Sequence, residues 1–480
     1  MKMGGQIMHR EQKNSRDHRL AIVTRQGHKI TYGALQRQIE ECLSYVDKES
    51  RQLALILCDN SYMNLCIYLS CLSAKIPVLL LDVSEQHRVK EIISEFTIFY
   101  MWVPQGMVLN IPQRYIAEME GYVLYELIQN KIESSFIQEE IALLLPTSGS
   151  EGKSKFVMLS YKNIISNTEA IIEALHIKKT DRAAVMLPLC YSYGLSVIHT
   201  HLYQGAVLLM PDLAMVRPKF WDFLSREKVT SLAAVPSGYE LMRKLRVFEG
   251  KYDLSSLRII TQAGGAMRID TQRYLLKHCK QCAPNVHIAI MYGQTEATAR
   301  ITTYFVDEHM DKIGSVGKVI PGGDIWIIGE QTEGEVCYKG DNVFLGYARC
   351  QQDIEILKEH NSQLLTGDVG YIDFDGYLYL TGRKSRFAKL NGYRIGLEGL
   401  QSELSDNIGC EIWCTIERKQ DEENLVVCWS DKSVAKEVIQ SVLKLECKLR
   451  GKWKVQYVPY FPYKQNGKPD YNALIKLFMF

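Results

Sequence analysis

The 480-residue chain is longer than one hydrophobic core usually supports, and typical domain sizes predict about two to four structural units. With 46% hydrophobic and 23% charged residues, its composition excludes long disordered tracts. A net charge of +2 excludes a field strong enough to attract nucleic acid or an anionic membrane by itself, which favours small-molecule partners.

The ends and cysteines of the chain indicate its compartment. Residues 1–17 are polar and lack the apolar stretch of a secretory signal, and the most apolar run, Ile76 to Val83, is too short to span a membrane. The thirteen cysteines are odd in number, and several lie in apolar runs, which favours reduced buried thiols over disulfides. We therefore expect a cytoplasmic protein without a membrane span.

Short apolar runs alternate with longer amphipathic stretches from the start of the chain. Leu53 to Leu57 and Val78 to Asp82 read as strands, and Ser61 to Ala74 between them reads as a helix. The alternation continues through Ile141 to Leu145, Asn163 to Leu175, Ala183 to Leu187, Gly194 to Tyr203, Ser231 to Val235, Arg258 to Gln262 and His287 to Met291. This order predicts an α/β fold, a mostly parallel sheet with flanking helices, and ligand sites in the loops after its strands.

The segment Leu145 to Lys155 follows a predicted strand and is rich in glycine, hydroxyl groups and lysine, which together suit phosphate oxygens. One interpretation is the Walker loop of P-loop NTPases, but Thr147 stands where that loop requires its first glycine. A second is the phosphate loop of acyl-adenylating enzymes, Thr-Ser-Gly-Ser/Thr-x-Gly-x-x-Lys, which this segment satisfies. A plain Ser/Gly-rich linker is the third.

Two further motifs offer polar groups after predicted strands. Tyr292-Gly293-Gln294-Thr295-Glu296 presents an aromatic ring, a hydroxyl and a carboxylate, suited to adenine, phosphate and magnesium, although a tight surface turn would contain the same residues. Cys279 and Cys282, beside His278, have metal-like spacing. No second Cys-x-x-Cys pair exists, so one face of a helix is favoured over a zinc site.

The pattern changes from about Asp324, where short alternating segments predict an antiparallel subdomain over residues 324–382. It includes a hairpin, Tyr371 to Tyr379, with a two-residue turn at Asp375-Gly376. Asp368 and Arg383 bracket this hairpin and offer an acceptor for ribose hydroxyls and a cation to reinforce it.

A small α+β unit follows the basic stretch Arg383 to Arg386. Strands are predicted near Glu411 and Leu425, and a helix over Val434 to Leu449. We place the domain boundary so that residues 1–384 form the large domain and residues 385–480 the small one. Near its end, the loop around Asn466-Gly467-Lys468 carries a lysine that in isolation would simply be solvated.

These motifs, in this order and spacing, resemble those of the adenylate-forming (AMP-binding) superfamily of acyl-CoA synthetases, luciferases and peptide-synthetase adenylation domains. Weaker agreements are Thr31 to Leu35, Gly264-Gly265-Ala266, Gly334-Glu335-Val336, Gly346-Tyr347 and Lys389 to Ile395. The resemblance spans essentially the whole chain. It implies a large N-terminal domain, a mobile C-terminal lid, and a reaction in which ATP and a carboxylic acid give an acyl-adenylate and pyrophosphate before a thiol takes the acyl group.

The resemblance also implies the roles of individual residues. Lys468, Thr295, Glu296 and Lys155 are the implied catalytic residues, with Glu296 as the magnesium ligand. The implied nucleotide contacts are Thr147, Ser148, Gly149, Ser150 and Gly152 on the β- and γ-phosphates with Lys155, Thr295 on the α-phosphate, Tyr292 with Gly264, Gly265 and Ala266 on adenine, Gly293 beside them, and Asp368 with Arg383 on the ribose. The small domain is expected to rotate between the two steps, with a hinge at Ser385 and with Gly392 and Tyr393 presented to the thiol.

The sequence departs from the family pattern at three places. Ser385 stands at the hinge where aspartate is common, and Glu151 replaces a frequent threonine in the phosphate loop. Ser154 and Phe156 replace the usual proline and glycine around Lys155. A carboxylate beside pyrophosphate is repulsive unless it faces away or binds magnesium.

The resemblance places the acid pocket around Tyr191, Ser192, Tyr193 and Gly194, with Pro236 and Tyr239. Amino-acid-activating relatives carry aspartate where Gly194 aligns, so an α-amino acid is disfavoured because its buried ammonium would lack a partner. The aromatic residues suit a fatty, hydroxylated or aromatic acid, or they only pack in the core.

We expect the thiol acceptor to be coenzyme A or a separate phosphopantetheinyl carrier protein, because the twelve residues that follow Lys468, up to Phe480, are too few for a carrier domain. Two alternatives remain from the sequence. The acyl-adenylate passes to an amine, or the protein binds nucleotide without catalysis.

Overall fold

The protein is described from a computed structural model that covers residues 16–47, 51–128, 137–146, 155–329, 333–357, 362–384, 386–390, 393–419, 422–445, 453–464 and 467–478. The α-helices are α1 (Tyr32–Leu43), α2 (Tyr62–Ser73), α3 (Val89–Glu95), α4 (Tyr161–Leu175), α5 (Ser192–Gln204), α6 (Pro218–Arg226), α7 (Pro236–Lys244), α8 (Ile269–Cys282), α9 (Gln351–Glu355), α10 (Leu397–Ile408), α11 (Lys436–Leu445) and α12 (Tyr471–Lys476).

The strands fall into five sheets. In chain order they are β1 (Leu20–Thr24), β2 (Lys29–Thr31), β3 (Leu53–Cys58), β4 (Val78–Asp82), β5 (Ile98–Pro104), β6 (Gln113–Met119), β7 (Tyr122–Leu127), β8 (Ile141–Pro146), β9 (Phe156–Ser160), β10 (Arg182–Ala184), β11 (Val207–Met210), β12 (Ser231–Ala234), β13 (Ile259–Gln262), β14 (His287–Tyr292), β15 (Thr302–Phe305), β16 (Lys318–Val319), β17 (Gly323–Ile328), β18 (Gly334–Gly340), β19 (Gly346–Ala348), β20 (Gln363–Ile372), β21 (Leu378–Arg383), β22 (Phe387–Leu390), β23 (Tyr393–Gly396), β24 (Ile412–Lys419), β25 (Glu422–Trp429) and β26 (Trp453–Tyr457).

The largest sheet has nine strands in the order β16-β15-β14-β13-β12-β10-β11-β1-β2. Its central strands, from β14 to β1, run parallel, and only the edge strands pair antiparallel. All four residues of β12 and of β13 are buried, as expected for strands covered on both faces. The predicted mostly parallel sheet with flanking helices is therefore present.

The second sheet has eight strands in the order β19-β9-β8-β4-β3-β5-β7-β6. Here only β8, β4, β3 and β5 run parallel, and β9, β19, β7 and β6 add antiparallel edges, so this sheet is mixed rather than mostly parallel. The predicted βαβ unit is β3-α2-β4, and the Ser61 hydroxyl caps α2 by accepting a bond from the Asn64 amide.

One hydrophobic core lies between the two large sheets. It joins Ile22 and Leu208 of the first sheet to Ala54 and Leu143 of the second through side chains of α1, α2, α4 and α5. A second core beneath α6, α7 and α8 covers the other face of the nine-stranded sheet. The nine-stranded sheet is thus covered by helices on both faces.

The predicted antiparallel subdomain is the four-stranded sheet β17-β18-β20-β21. Its hairpin differs from the prediction, because five residues, 373–377, separate β20 from β21 instead of two. The Asp373 carboxylate accepts bonds from the amides of Asp375 and Tyr377, at 3.0 and 2.8 Å, and so widens the turn.

The C-terminal residues form their own hydrophobic clusters. One includes Ala388, Leu404, Ile412 and Val455, and another forms around Trp413, and all their fully buried members lie after residue 387. The β22-β23 hairpin and the β24-β25-β26 sheet pack with α10, α11 and α12 here. The expected helix over 434–449 begins at Lys436, and residues 446–450 lie outside the description. The boundary at Ser385 stays a prediction.

Cys279 and Cys282 lie on α8 as free thiols, which agrees with the helix-face interpretation. The described residues contain no cluster of histidine, cysteine or acidic side chains that would hold a metal by itself. No helix in the described part of the chain combines the length and the hydrophobicity that a membrane crossing requires.

Candidate active site

The candidate site lies where the parallel strands β12, β13 and β14 end. These strands run in register, so the segments that follow them meet at one edge of the sheet. The segments are α7, which starts at Pro236, the loop Gly264-Gly265-Ala266, and the motif Tyr292 to Glu296. Three of the sequence-predicted groups are therefore brought together by the fold.

A strained turn holds the Tyr292-to-Glu296 motif. A methyl group at Gly293 would lie 2.0 Å from the Ala299 carbonyl oxygen, so only glycine fits there. A short 3₁₀ helix over Thr295–Ala297 ends at Thr298, with φ 62° and ψ −58°. The amide of Ala299 then bonds the Ala297 carbonyl at 2.6 Å, which makes a γ-turn of the rare, strained type. Such strain persists only where neighbouring groups hold it.

Asn342 is the neighbour that holds this turn. Its side-chain amide donates to the carbonyls of Ala297 and Arg300, at 2.9 and 3.0 Å. The Tyr338 hydroxyl donates to Asn342 Oδ1 at 2.7 Å, and the Thr298 hydroxyl donates to the Asn342 carbonyl at 2.7 Å. Three hydrogen bonds with Asn342 thus hold the turn that follows Thr295 and Glu296, and Tyr338 orients the Asn342 side chain.

Glu296 and Lys155 face each other across Tyr347. The Tyr347 hydroxyl donates to Glu296 Oε1 at 2.9 Å, and the Lys155 ammonium lies 3.3 Å from the centre of the Tyr347 ring. Burial lowers the pKa of Lys155, and the Glu296 carboxylate opposes that shift. The other predicted residues of the phosphate loop, Thr147, Ser148, Gly149, Ser150 and Gly152, lie outside the described residues.

Tyr292, Asp368 and Arg383 form one hydrogen-bonded set. The Tyr292 hydroxyl donates to Asp368 Oδ2 at 2.5 Å, and Arg383 Nε lies 2.7 Å from Asp368 Oδ1. Burial, followed by the Asp368 charge, raises the pKa of Tyr292. The set contains Asp368 and Arg383, the predicted ribose contacts. It links them by a hydrogen bond to Tyr292, the predicted adenine contact.

Tyr191 lies between the glycine loop and Lys468. Gly264 has φ +88°, and a methyl group there would lie 2.5 Å from the Tyr191 hydroxyl oxygen. Beyond it, Gly265 and Ala266 are exposed. The Lys468 ammonium lies 5.5 Å from the centre of the Tyr191 ring.

The C-terminal loop docks at the end of β12. The Ser237 hydroxyl donates to the Gly467 carbonyl at 3.1 Å, and Gly467 has φ +73°. Burial lowers the pKa of Lys468, the Arg383 charge lowers it further, and the carboxylates of Glu296 and Asp368 act in the opposite direction. The fold thus brings Lys468, remote in sequence, into the electrostatic range of Glu296, Asp368 and Arg383.

The predicted acid-pocket residues fall into two groups. Some face the Thr295 hydroxyl, and others are hydrogen-bonded within the core. The Ser192 hydroxyl lies 3.3 Å from the Thr295 hydroxyl, at the start of α5. By contrast, Tyr193 and Tyr239 are buried, and both hydroxyls bond the Thr261 carbonyl, at 2.8 and 2.7 Å. These two tyrosines follow the core-packing alternative. A methyl group at Gly194 would lie 2.3 Å from the Pro188 carbonyl oxygen.

The predicted hinge and thiol-facing residues give less information. Ser385 and Gly392 lie outside the described residues, and the backbone of Tyr393 begins β23.

Sequence reasoning also missed three residues that the structure brings to the site, namely Thr298, Arg300 and Asn342. Tyr347 belongs to Gly346-Tyr347, one of the weaker agreements with the family pattern. The one available signal was the run Ala297-Thr298-Ala299-Arg300 directly after Glu296.

Curated proteins are similar to part of this chain. The probable 4-coumarate–CoA ligase 2 of Dictyostelium discoideum is 28% identical over 280 residues, 56% of this chain and 49% of that protein. The 2-succinylbenzoate–CoA ligase of Bacillus velezensis is 30% identical over 253 residues, 52% of this chain and 50% of that protein. The matched region thus spans about half the length of these curated relatives.

Solved structures share the fold across the chain. The o-succinylbenzoate coenzyme A synthetase of Bacillus subtilis in complex with AMP aligns with a TM-score of 0.77 and 20% identity over 98% of each chain. The anthranilate CoA ligase AuaEII in complex with anthranoyl-AMP aligns with a TM-score of 0.74 and 17% identity, over 96% of this chain and 94% of that one. The predicted fold class is thereby confirmed.

The sequence model of the family described as "AMP-binding enzyme" matches residues 9–348, more than two thirds of the chain. This match confirms the family resemblance that the motifs carried. The chain belongs to the AMP-binding enzyme family.

Proposed function

We propose that the protein uses ATP to activate a carboxylic acid as an acyl-adenylate, with release of pyrophosphate, and then passes the acyl group to a thiol. The family supports this proposal, as do relatives and neighbours that are named as CoA ligases or bound to an acyl-adenylate. CoA ligase names favour coenzyme A as the acceptor, and a separate phosphopantetheinyl carrier protein is the other thiol that fits.

The observation that carries the proposal is the position of Lys468. Its ammonium lies over Tyr191, and its pKa responds to Glu296, Asp368 and Arg383, so one cation faces both the acid pocket and the nucleotide side. When a carboxylate attacks the α-phosphate, two negatively charged groups are brought together, and charge shifts from the carboxylate to the α-phosphate oxygens and the departing pyrophosphate. A cation held between them stabilises that charge more than it stabilises either reactant.

The remaining residues position the reactants. Thr295, on its pinned turn, takes the α-phosphate, and Lys155 with the loop 147–152 takes the outer phosphates. Asp368 and Arg383 take the ribose, and Tyr292 with Gly264, Gly265 and Ala266 borders the adenine. Holding two reactants in attack geometry accounts for a large part of the rate enhancement in such reactions.

Magnesium is implied by the chemistry of ATP, and the donor set fits it. Glu296 is half-buried and offers a carboxylate oriented by the Tyr347 hydroxyl, and Mg²⁺ prefers a few such hard oxygen ligands beside substrate phosphates. When bound, the ion would neutralise phosphate charge. Glu296 would be its protein ligand.

The acid is not an α-amino acid in this proposal. The backbone at Gly194 leaves no room for the carboxylate that would pair with an ammonium group, because even a methyl group would collide with the Pro188 carbonyl. An unpaired buried ammonium would cost several kcal/mol, on the order of 3–5. Fatty, aryl and dicarboxylic acids meet no such penalty.

Residues 385–480 act in this proposal as a mobile lid with a hinge at Ser385. Lys468 serves the first step in the arrangement described above. Rotation about Ser385 then withdraws Lys468 and presents the segment around Gly392 and Tyr393 to the thiol.

The test is acid-dependent exchange of labelled pyrophosphate into ATP, screened over fatty, aryl, hydroxy and dicarboxylic acids. Lys468→Ala is expected to lower exchange by about 100-fold or more, since it removes a group that acts on the transition state. The matched control is Lys444→Ala, at an exposed position of α11 in the same C-terminal region, which is expected to leave exchange unchanged.

Two outcomes would count against the proposal. ATP binding without exchange for any acid would indicate a non-catalytic nucleotide-binding protein. Exchange followed by acyl transfer to amines, and not to thiols, would indicate an amide synthetase.

A further inference from the structure

Arg300 is a buried cation without an acidic partner. Its side chain is 2% exposed, and its Nη2 donates to the Ser196 hydroxyl at 3.2 Å. The guanidinium carbon lies 4.7 Å from the centre of the Tyr193 ring, and Nε has no hydrogen-bond partner. In the part of the chain that the structure describes, no carboxylate pairs with this guanidinium.

The other arginines near the sheet edges contrast with Arg300. Arg182, Arg258 and Arg383 pair with Glu227, Asp181 and Asp368, at 3.0, 2.5 and 2.7 Å. A guanidinium cannot shed its proton to escape burial, and an uncompensated buried charge is costly. A hydroxyl and a tyrosine ring compensate only part of it. Arg300 is therefore a buried cation that an anionic ligand would pair with.

The position of Arg300 relative to Thr295 indicates which anion it would bind. Ser192 contacts Thr295, the residue assigned to the α-phosphate, and Ser196 follows four residues later on α5. At 1.5 Å per residue, this separation is about 6 Å along the helix. Arg300 therefore lies roughly one helical turn farther along α5 than the reacting end, next to Ser196 and the buried ring of Tyr193.

The surroundings hold Arg300 in place and add no second charge. Its backbone carbonyl accepts bonds from the side chains of Asn342 and Asn167, at 3.0 and 3.1 Å. His199, one turn farther along α5, is buried against the Tyr68 hydroxyl, and burial lowers its pKa to about 3, so it is neutral. Arg300 is thus the cation available at this depth among the described residues.

We infer that Arg300 binds a second carboxylate at the far end of the acid, so the substrate is a dicarboxylic acid. This inference rests on the proposed function, because it assigns the other end of the same substrate. A bidentate pair between a guanidinium and a carboxylate would replace the missing partner and fix how deeply the acid enters.

The experiment compares acids matched in length. Glutarate and adipate are set against pentanoate and hexanoate, and kcat/KM is measured by pyrophosphate exchange in the wild type, Arg300→Gln and Arg300→Lys. We expect the wild type to prefer the diacids and Arg300→Gln to lower the diacid-to-monoacid ratio by about 30-fold or more, mostly through KM. Arg300→Lys keeps the charge and is expected to recover part of the ratio.

The wild type alone provides a second arm, in case Arg300→Gln does not fold. 5-Aminopentanoate places an ammonium where glutarate places a carboxylate, so it is expected to be a poorer substrate than pentanoate. Equal use of the monoacids and diacids, or a ratio that Arg300→Gln leaves unchanged, would overturn the inference. So would better use of 5-aminopentanoate than of pentanoate.

A binding measurement separates this inference from the proposed function. Diacids are titrated into wild type and Arg300→Gln in the presence of a non-hydrolysable ATP analogue, and the thermal unfolding midpoint is followed. If no acid supports exchange, the proposed function fails, yet diacid stabilisation of the wild type alone would still support a carboxylate site at Arg300. Absence of that stabilisation as well would overturn it.

Discussion

The reactivity of Lys468 is set by its neighbours. Burial disfavours the charged amine and lowers its pKa, and the nearby Arg383 lowers it further, while Glu296 and Asp368 act to raise it. Phosphate charge brought by the nucleotide would act in the same direction as the two carboxylates. The lysine is therefore closest to losing its proton before the nucleotide binds.

This environment predicts a pH limit on the first step. Lys468 must be protonated to act as a cation, so kcat/KM for pyrophosphate exchange is expected to fall as the pH rises through its lowered pKa, below the range of an ordinary lysine. In Lys468→Arg the remaining activity is expected to keep no such limb, because a guanidinium stays protonated. The measurement is a pH profile of exchange for both proteins, with circular dichroism to show that each stays folded. An identical alkaline limb in Lys468→Arg would assign the titration to another group.

The chemistry of single residues was readable from the sequence to the extent that it follows from residue type and order. Lys468, Glu296 and Asp368 were identified as candidates through the order of the motifs and the family resemblance, and their catalytic roles await the tests above. The burial of individual side chains and their hydrogen-bond partners could not be predicted from the sequence. Nothing local distinguishes Tyr191, which borders Gly264 and Lys468, from Tyr239, whose hydroxyl bonds the Thr261 carbonyl across the core. Arg300 was missed for the same reason, since its missing carboxylate is a property of the folded chain.

At the scale of elements, the strained turn after β14 links the fold to the site. The γ-turn centred on Thr298, with its positive φ, stores strain that the Asn342 side chain offsets from the segment between β18 and β19. Thr295, Glu296 and Arg300 all lie on this turn or at its ends. Its geometry therefore sets the distance between the reacting groups and the proposed second carboxylate.

Asn342→Ala is expected to release the turn. The substitution removes the bonds that Asn342 donates to the carbonyls of Ala297 and Arg300 and takes away the acceptor of the Tyr338 hydroxyl. The loss of these three bonds is expected to cost about 2–4 kcal/mol of unfolding free energy. Exchange activity is expected to fall as well, because Thr295 and Glu296 lose their support. Urea denaturation and pyrophosphate exchange measure the two effects.

Tyr338→Phe provides the control for Asn342→Ala. It removes one bond to Asn342 and keeps both bonds that Asn342 donates to the turn, so a loss of only about 1 kcal/mol is expected. Full exchange activity in a destabilised Asn342→Ala protein would show that the reaction does not depend on the strained turn.

Elements defined by a local pattern agreed with prediction, and those defined by partners did not. The unit β3-α2-β4 follows from buried runs and a serine cap, all visible in the sequence. The predicted two-residue turn at Asp375-Gly376 was wrong. The Asp373 carboxylate accepts bonds from two backbone amides, and this outweighs the preference of Asp375-Gly376 for a two-residue turn. The antiparallel edges of the eight-stranded sheet depend on which distant strands pair, and a single sequence does not carry that information.

At the scale of the whole molecule, the site is complete only when the C-terminal loop docks against the large sheets. The contact is made through Gly467, whose added methyl group would lie 2.5 Å from Val235 Cγ2 and 3.1 Å from the Ser237 hydroxyl oxygen. Lys468 is the next residue, so this contact sets how far its ammonium enters. The proposed rotation of residues 385–480 would break the contact in the second step.

Gly467→Ala is therefore expected to separate the two steps. The added methyl group pushes the loop away from Val235, and a displacement of about 1 Å at a reacting group can cost about 100-fold in rate, so exchange is expected to fall by that order. Thioester formation from a chemically prepared acyl-adenylate is expected to be nearly unaffected, since it does not need this docking.

The control is Gly409→Ala, at the end of α10, where φ is +76° and no atom lies within 4 Å of the added group. Both substitutions place alanine in a left-handed conformation, at a similar cost of about 1–2 kcal/mol, but only Gly467→Ala disturbs the docked loop. Equal losses of exchange in the two variants would trace the effect to backbone strain. An equal loss of both steps in Gly467→Ala would mean that one fixed arrangement of the C-terminal residues serves the whole reaction.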